Sequence, residues 1–328
     1  MANFIGDYPE QVLVTSTYYG ECPKCIVPHD QLGDSDRFLS CDYRKALETY
    51  ALADGDVRTF NAACRDSGIK PIFHPFWETL PLANIYVSVT PDILHQLLQG
   101  VMKHLIAWVS DPLIFGGQSI DARCQLMPPN HQISLFPKGI SILSRVSGKE
   151  HKNICQLLLG LVVDLRISGG SSSAHLLKAV NGLLDFLYLA QLPSQTANTI
   201  SCLEHALLMF HQNKGIFVDL GVQDHFNILK IHSLLHYSSS IRLFSSTDNY
   251  NTEQMEWLHI DFMKNAYRST NHKDEYPQMT TWMERCEKIQ EHAVCIKFLQ
   301  QQQFPASAMC QRSIGMPPQP SLHHLKMT

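Results

Sequence analysis

The chain has 328 residues, 45% of them apolar and 17% charged, with a formal net charge of −4. That length and balance suit a globular protein with enough apolar surface for two domains' worth of core. They argue against a stand-alone nucleic-acid binder, which needs a surplus of Lys and Arg on at least one face. The chain carries no charged and apolar leader pattern, and stretches such as LLLGLVVDL are too short to span a bilayer. The expectation is therefore a nuclear or cytoplasmic protein without a secretion or membrane signal. The ten cysteines are scattered rather than arranged as a framework, so reduced thiols are expected.

In chain order, QVLVTSTYYG is rich in β-branched and aromatic residues before a turn at Gly20, and pattern alone leaves strand and helix open there. In TPDILHQLLQGVMKHLIAWV, Thr90 is the expected N-cap and Pro91 the first helical residue. Ile93, Leu94, Leu97, Leu98, Val101, Met102, Leu105 and Ile106 form one apolar stripe. Similar stripes in NICQLLLGLVVDL, AHLLKAVNGLLDFLYLAQL and TISCLEHALLMFHQ, separated by loops such as SGGSSS at residues 168–173, predict a helical block over about 90–220. Further helices are predicted over DHFNILKIHSLLHYSSSIRLF, TEQMEWLHIDFMKNAY and QMTTWMERCEKIQEHAVCIKFLQ. The segment 301–328 reads as a disordered tail from its Gln and Pro bias.

The chemistry-bearing motif is GECPKCIVPHD, with Cys22 and Cys25 as the single Cys-x-x-Cys pair in the chain. Such a turn lets two sulfurs converge on one ion, and a structural zinc site needs four ligands in all. His232 and His236 in KIHSLLHY stand four apart on a predicted helix, so their rings leave the same face. Together the four can make a Cys2His2 site; with 17 histidines, a pair that merely packs is the competing reading. Thiol redox chemistry is disfavoured, because the pair is followed by Pro28 and an acidic loop rather than opening a helix. Asp7 precedes the cysteines, and Glu253 and Glu256 follow the histidines. Sites for divalent-metal phosphoryl transfer draw acidic groups from separate elements, although most such groups are simply solvated.

The stretches IGDYPEQVLV, CPKCIVPHDQLGD, PFWETLPLANIYVSVTPDILHQLLQGVMKH, DHFNILKIHSLLHY and NYNTEQMEWLHIDFMKNAYRSTNHKDEYPQM closely resemble the transposases of fungal Plavaka elements, within the CACTA-type cut-and-paste group. The resemblance runs from about residue 3 to 300. It implies a mainly α chain with an incomplete RNase H-like (DDE) core interrupted by a large helical insertion. It also implies Mg2+ or Mn2+ at catalytic carboxylates, with transposon-end DNA as partner and a homo-oligomer or full-length transposase as possible protein partner. By the same resemblance Asp7 is the second acidic residue of the triad and Glu256 the last, with Glu253 the alternative. Trp257 stands where the family's Arg is expected. His95 falls on the histidine of a hydrophobic-Asp-x-x-His stretch, or is a helix-surface histidine. A Cys-x-x-Cys after the second Asp and a His pair before the Glu, as in the related vertebrate recombination-activating recombinase, imply a Zn2+ site at Cys22, Cys25, His232 and His236. Lys264, Arg268 and Lys273 are candidate contacts to DNA backbone, or a solvated helix face.

The expected organisation is thus 1–45 for the second-Asp segment with the cysteine half of the clamp and 46–222 for the helical insertion. Residues 223–300 would carry the histidine and glutamate helices, and 301–328 the tail. No acidic residue precedes Asp7, so the family's first Asp is expected to be missing from this chain. The expected function is that of a transposase fragment, inactive alone. The alternative is a zinc-stabilised helical module for protein or DNA interaction.

Overall fold

The structure, a computed structural model, describes residues 3–80, 82–115, 120–128, 131, 133–165, 167 and 173–303. The chain divides into two compact units, residues 1–252 and 253–328. Both are helical. Among the described residues no β-strand forms; the strand-like pairings are two isolated bridges, Phe4 with Val89 and Cys25 with Ser40. The mainly α expectation is met. The sheet of an RNase H-like core has no counterpart among these residues beyond the two bridges.

The first unit opens with α1 (Tyr8–Val14), which settles the ambiguous QVLV stretch as helix. The local cause is a capping box: the Asp7 carboxylate accepts from Glu10 N–H at 3.1 Å, and Glu10 returns the bond to Asp7 N–H at 3.2 Å. Pro9 falls in the first turn, where its missing N–H costs nothing. Next come α2 (Tyr43–Tyr50) and α3 (Val57–Asp66), capped by Asp42 and Asp56. Their apolar faces pack Tyr50, Phe60, Cys64 and Trp77 into a small core.

The larger core is built on α4 (Ile93–Met102), α5 (Lys103–Val109), α6 (Gly148–Val162), α7 (Ser173–Ala190) and α8 (Ala197–Asn213). The predicted stripe is buried as expected, Ile106 only partly. Two details differ. The N-cap is Asp92 rather than Thr90, because the Asp92 carboxylate reaches His95 N–H and a charged acceptor caps more strongly than the hydroxyl. And α4 is wound as a π-helix, with Leu97 N–H bonded to Asp92 O at 3.3 Å. Such wide turns are rare and favour functional sites. α7 and α8 approach closely at Gly182, where an added Cβ would stand 2.8 Å from both the Ala206 carbonyl oxygen and the Phe210 nitrogen.

The helix predicted over 224–244 starts only at Leu229: α9 (Leu229–His232) leads through a 3-10 turn, Ser233–His236, into α10 (Tyr237–Phe244). Residues 168–172 of the predicted SGGSSS loop lie outside the described residues, and Ser173 already opens α7.

The second unit holds α11 (Thr252–His259), which continues through a π-turn, Ile260–Lys264, into Asn265–Arg268. The long α12 (Glu275–Gln303) follows. It extends through Gln301–Gln303, which were expected in the tail; residues 304–328 lie outside the described residues. No helix among the described residues is long and apolar enough to cross a membrane.

Candidate metal centre

Cys22 and Cys25 sit in the loop that follows α1, and the end of α9 with the 3-10 turn after it brings His232 and His236 to meet them. All four ligand atoms lie within 4.8 Å of one another. Cys25 Sγ is 3.0 Å from His232 Nε2 and 3.7 Å from His236 Nε2, and Cys22 Sγ is 3.2 Å from His236 Nε2. Tetrahedral zinc with Zn–S of about 2.3 Å and Zn–N of about 2.0 Å places sulfur and nitrogen ligands roughly 3.5 Å apart. The observed separations bracket that value. Cys22, Cys25 and His232 are 2%, 4% and 0% exposed.

The electrostatics of the pair also fit a cation. The Cys25 hydrogen bond, followed by those from His232 and His236, holds the Cys22 thiol well below its usual range against burial. The same bond to Cys22, with burial and the Cys22 charge, pushes Cys25 far up. Two thiols this close share one negative charge until a dication lets both ionise. His232 Nδ1 is buried without a hydrogen-bond partner; with Nε2 on a metal it is the nitrogen that carries the proton. Among the described residues every cysteine is a free thiol. Burial pushes the Cys41 thiol up to about 12, and its sulfur is 4.0 Å from the Cys22 carbonyl, outside the convergent set.

Several contacts fasten this turn to the helical body. Lys24, between the cysteines, donates to the carbonyls of Tyr86, Val87 and Val89 at 3.3, 3.3 and 2.5 Å. Burial lowers its ammonium to about 8, opposed by the neighbouring thiolates. Gln11 Nε2 donates to Gly6 O and Thr90 O at 2.9 and 2.7 Å. Farther along, Gly33 N–H donates to Asn227 Oδ1 at 3.1 Å, and Lys214 Nζ bonds to Gly33 O. A Cβ at Gly33 would meet the Phe226 backbone at 2.8 Å, so the loop can lie this close only without a side chain.

Beside the clamp lies a cavity of about 460 Å³, whose wall includes Asp7, Cys22, Lys24, Asp92, His95, His104, Lys230 and His236. Asp7 and His95, both candidates for the catalytic site, thus line one cavity with the ligands Cys22 and His236. Asp7 also caps α1. His95 Nδ1 is 3.0 Å from Asp92 Oδ2 and 3.1 Å from Thr252 Oγ1. On α4, His95 O accepts from Lys230 Nζ at 2.8 Å, and Gln96 Nε2 donates to Lys230 O at 2.7 Å. The Tyr237 hydroxyl lies 2.8 Å from Asp92 O and 2.5 Å from Gln96 Oε1. These bonds lock α4 to the segment that presents His232 and His236. Burial, then the charges of Lys230 and Lys103, lower the His104 imidazole.

Glu253 and Glu256 lie one turn apart on α11, and Lys264, Arg268 and Lys273 are exposed beyond it, all in the second unit. Among the described residues of the first unit, no converging group of three or more ligands includes Asp7. Residues not singled out from sequence are Asp92, Lys24 and Lys230. For Asp92 a signal existed, since Asp immediately before the first residue of an apolar stripe is an N-cap pattern.

The class defined by this geometry is a helical protein with a buried Cys2His2 centre able to hold a metal such as zinc. Residues 1–109 match the family model described as Plavaka transposase, and no curated protein matches the chain. The match covers the cysteine pair, Asp7, Asp92 and His95, bears out the Plavaka resemblance for 109 of the 328 residues, and supports a transposase-related function.

Proposed function

We propose that this chain serves cut-and-paste DNA transposition as a zinc-clamped part of the transposase. The observation that carries the reading is the convergence of Cys22 and Cys25 with His232 and His236 across more than two hundred residues of chain. With four protein ligands the ion has no open position, so zinc supplies structure rather than an activated water. Its role is to hold the Asp7 segment against the helices that frame the cavity. Asp7 and Glu256, with Glu253 as the alternative, are the proposed carboxylates for Mg2+ or Mn2+ in an assembled enzyme, and His95 is a residue of the cavity that Asp7 lines. Lys264, Arg268 and Lys273 are proposed backbone contacts to transposon-end DNA. The proposed core is RNase H-like, with 46–222 as its insertion.

Two-metal phosphoryl transfer needs several acidic ligands around one point. Asp7 lies in a cavity where Asp92, the other carboxylate on its wall, is already bonded to His95 and Thr252. The isolated chain is therefore expected to leave labelled element ends uncut in Mg2+ or Mn2+. Robust nicking that disappears in Glu256→Gln would overturn that inactivity. The same clamped helical body, with no strand among its described residues, also favours a second reading, a non-catalytic module that joins full-length transposase. Co-purification with the full-length enzyme in the absence of any nicking would select it.

A further inference from the structure

Asp92 is 2% exposed, and a carboxylate so placed must find its compensation locally. Burial raises its pKa, but bonds from His95 and Thr252 outweigh that and leave the carboxyl below its usual range. One oxygen, Oδ2, takes His95 N–H at 2.5 Å and Nδ1 at 3.0 Å; the other, Oδ1, takes Thr252 N–H at 3.0 Å. Two consequences follow from donor chemistry alone. An ionised carboxylate only accepts, so His95 Nδ1 carries a proton and donates it to Asp92. And Thr252 is the first residue of α11, whose leading amide has no partner inside its own helix. Asn251 is extended at φ −79° and ψ 126°, and Asp92 caps that amide from 160 residues away in sequence.

We propose that Asp92 is a positioning residue with two outputs: it fixes the Nδ1–H tautomer of His95 at the cavity wall, and it anchors the start of the helix that carries Glu253 and Glu256. The relevance of the second output to catalysis rests on the function proposed above. The first does not depend on it. Lys230 and Tyr237 support the arrangement by holding the backbone of α4 at His95 O and Asp92 O.

The test uses the full zinc-loaded chain without DNA or added Mg2+, so failure of strand cleavage and failure of this proposal are separate results. Nitrogen-15 NMR of the histidines is expected to find His95 as Nδ1–H. In Asp92→Asn the amide can donate to Nδ1, and the tautomer is expected to shift towards Nε2–H, a change that general loss of stability would not produce. Hydrogen exchange of the Thr252 amide is expected to quicken about tenfold in Asp92→Ala. Thr252→Pro removes the same bond at a helix position that tolerates proline; it should speed exchange over Glu253–Glu256 and leave His95 as Nδ1–H. An Nε2–H tautomer in the unaltered protein overturns the proposal, as does an unchanged tautomer in Asp92→Asn. So does wild-type exchange over Glu253–Glu256 in Thr252→Pro. Should the Asp92 variants fail to hold zinc, the unaltered protein and Thr252→Pro still decide.

Discussion

Cys22→Ser is expected to lose zinc and with it the cooperative fold around the cavity. Structural zinc in small sites contributes an apparent ~10–16 kcal/mol coupled to folding, as much as the whole stability of a typical domain, about 5–15 kcal/mol. Metal analysis should find close to one zinc per chain in the unaltered protein. It should find much less in Cys22→Ser and His236→Ala, with a large fall in melting temperature. Hydrogen exchange should localise the damage to residues 22–41 and 229–244, which the clamp joins, because α7 and α8 bury their faces against each other without its help. Zinc content and melting temperature unchanged in both variants would remove the metal centre from this protein.

The second large effect is expected at Gly182. The two nearest atoms to an added Cβ are backbone atoms of α8, each at 2.8 Å, so no flexible side chain can yield. Gly182→Val must therefore push α7 and α8 apart along a seam that buries Leu183, Phe186, Leu203 and Phe210. Overpacking of a well-filled core costs about 1–3 kcal/mol, and backbone contact on a helix pair places this site at the upper end. Urea denaturation should show the midpoint falling with zinc still bound at neutral pH. A midpoint equal to that of the unaltered protein would mean the helices are less tightly apposed. The glycine gains helix propensity on substitution, so destabilisation here cannot be a propensity effect.

Helices were legible wherever an apolar stripe ran long enough to fix its own period. The stripe from Ile93 to Leu105 is buried as its spacing required, and Ser147 and Thr196 cap α6 and α8 in positions their chemistry favours. What period could not convey was the winding of α4. Residues three and four apart meet the core in an α-helix or, over this length, in a π-helix, and a lysine from a distant segment packs along the result. Lys230 donates to His95 O, and its side chain runs over Gly100, where a Cβ would meet Lys230 Cδ at 2.4 Å. The QVLV stretch was undecidable for a related reason. Its β-branched residues favour a strand, and the Asp7–Glu10 capping box tips it to helix.

The amino-acid sequence by itself determined the helical class and most helix positions, and it offered Cys22, Cys25, His232 and His236 as candidate ligands with packing as the competing reading. Each depends on local periodicity or on ligand chemistry that is the same in any fold. Tertiary structure decided what those residues are for one another. Only the folded chain brings two sulfurs and two imidazole nitrogens within 4.8 Å, sets Asp7 and His95 on the wall of one cavity, and buries Asp92 between His95 and Thr252. The physical reason is range. Capping and amphipathic burial act over a few residues and are written in short words of sequence, whereas a buried carboxylate or thiolate is stabilised by whatever donors the whole chain delivers to it.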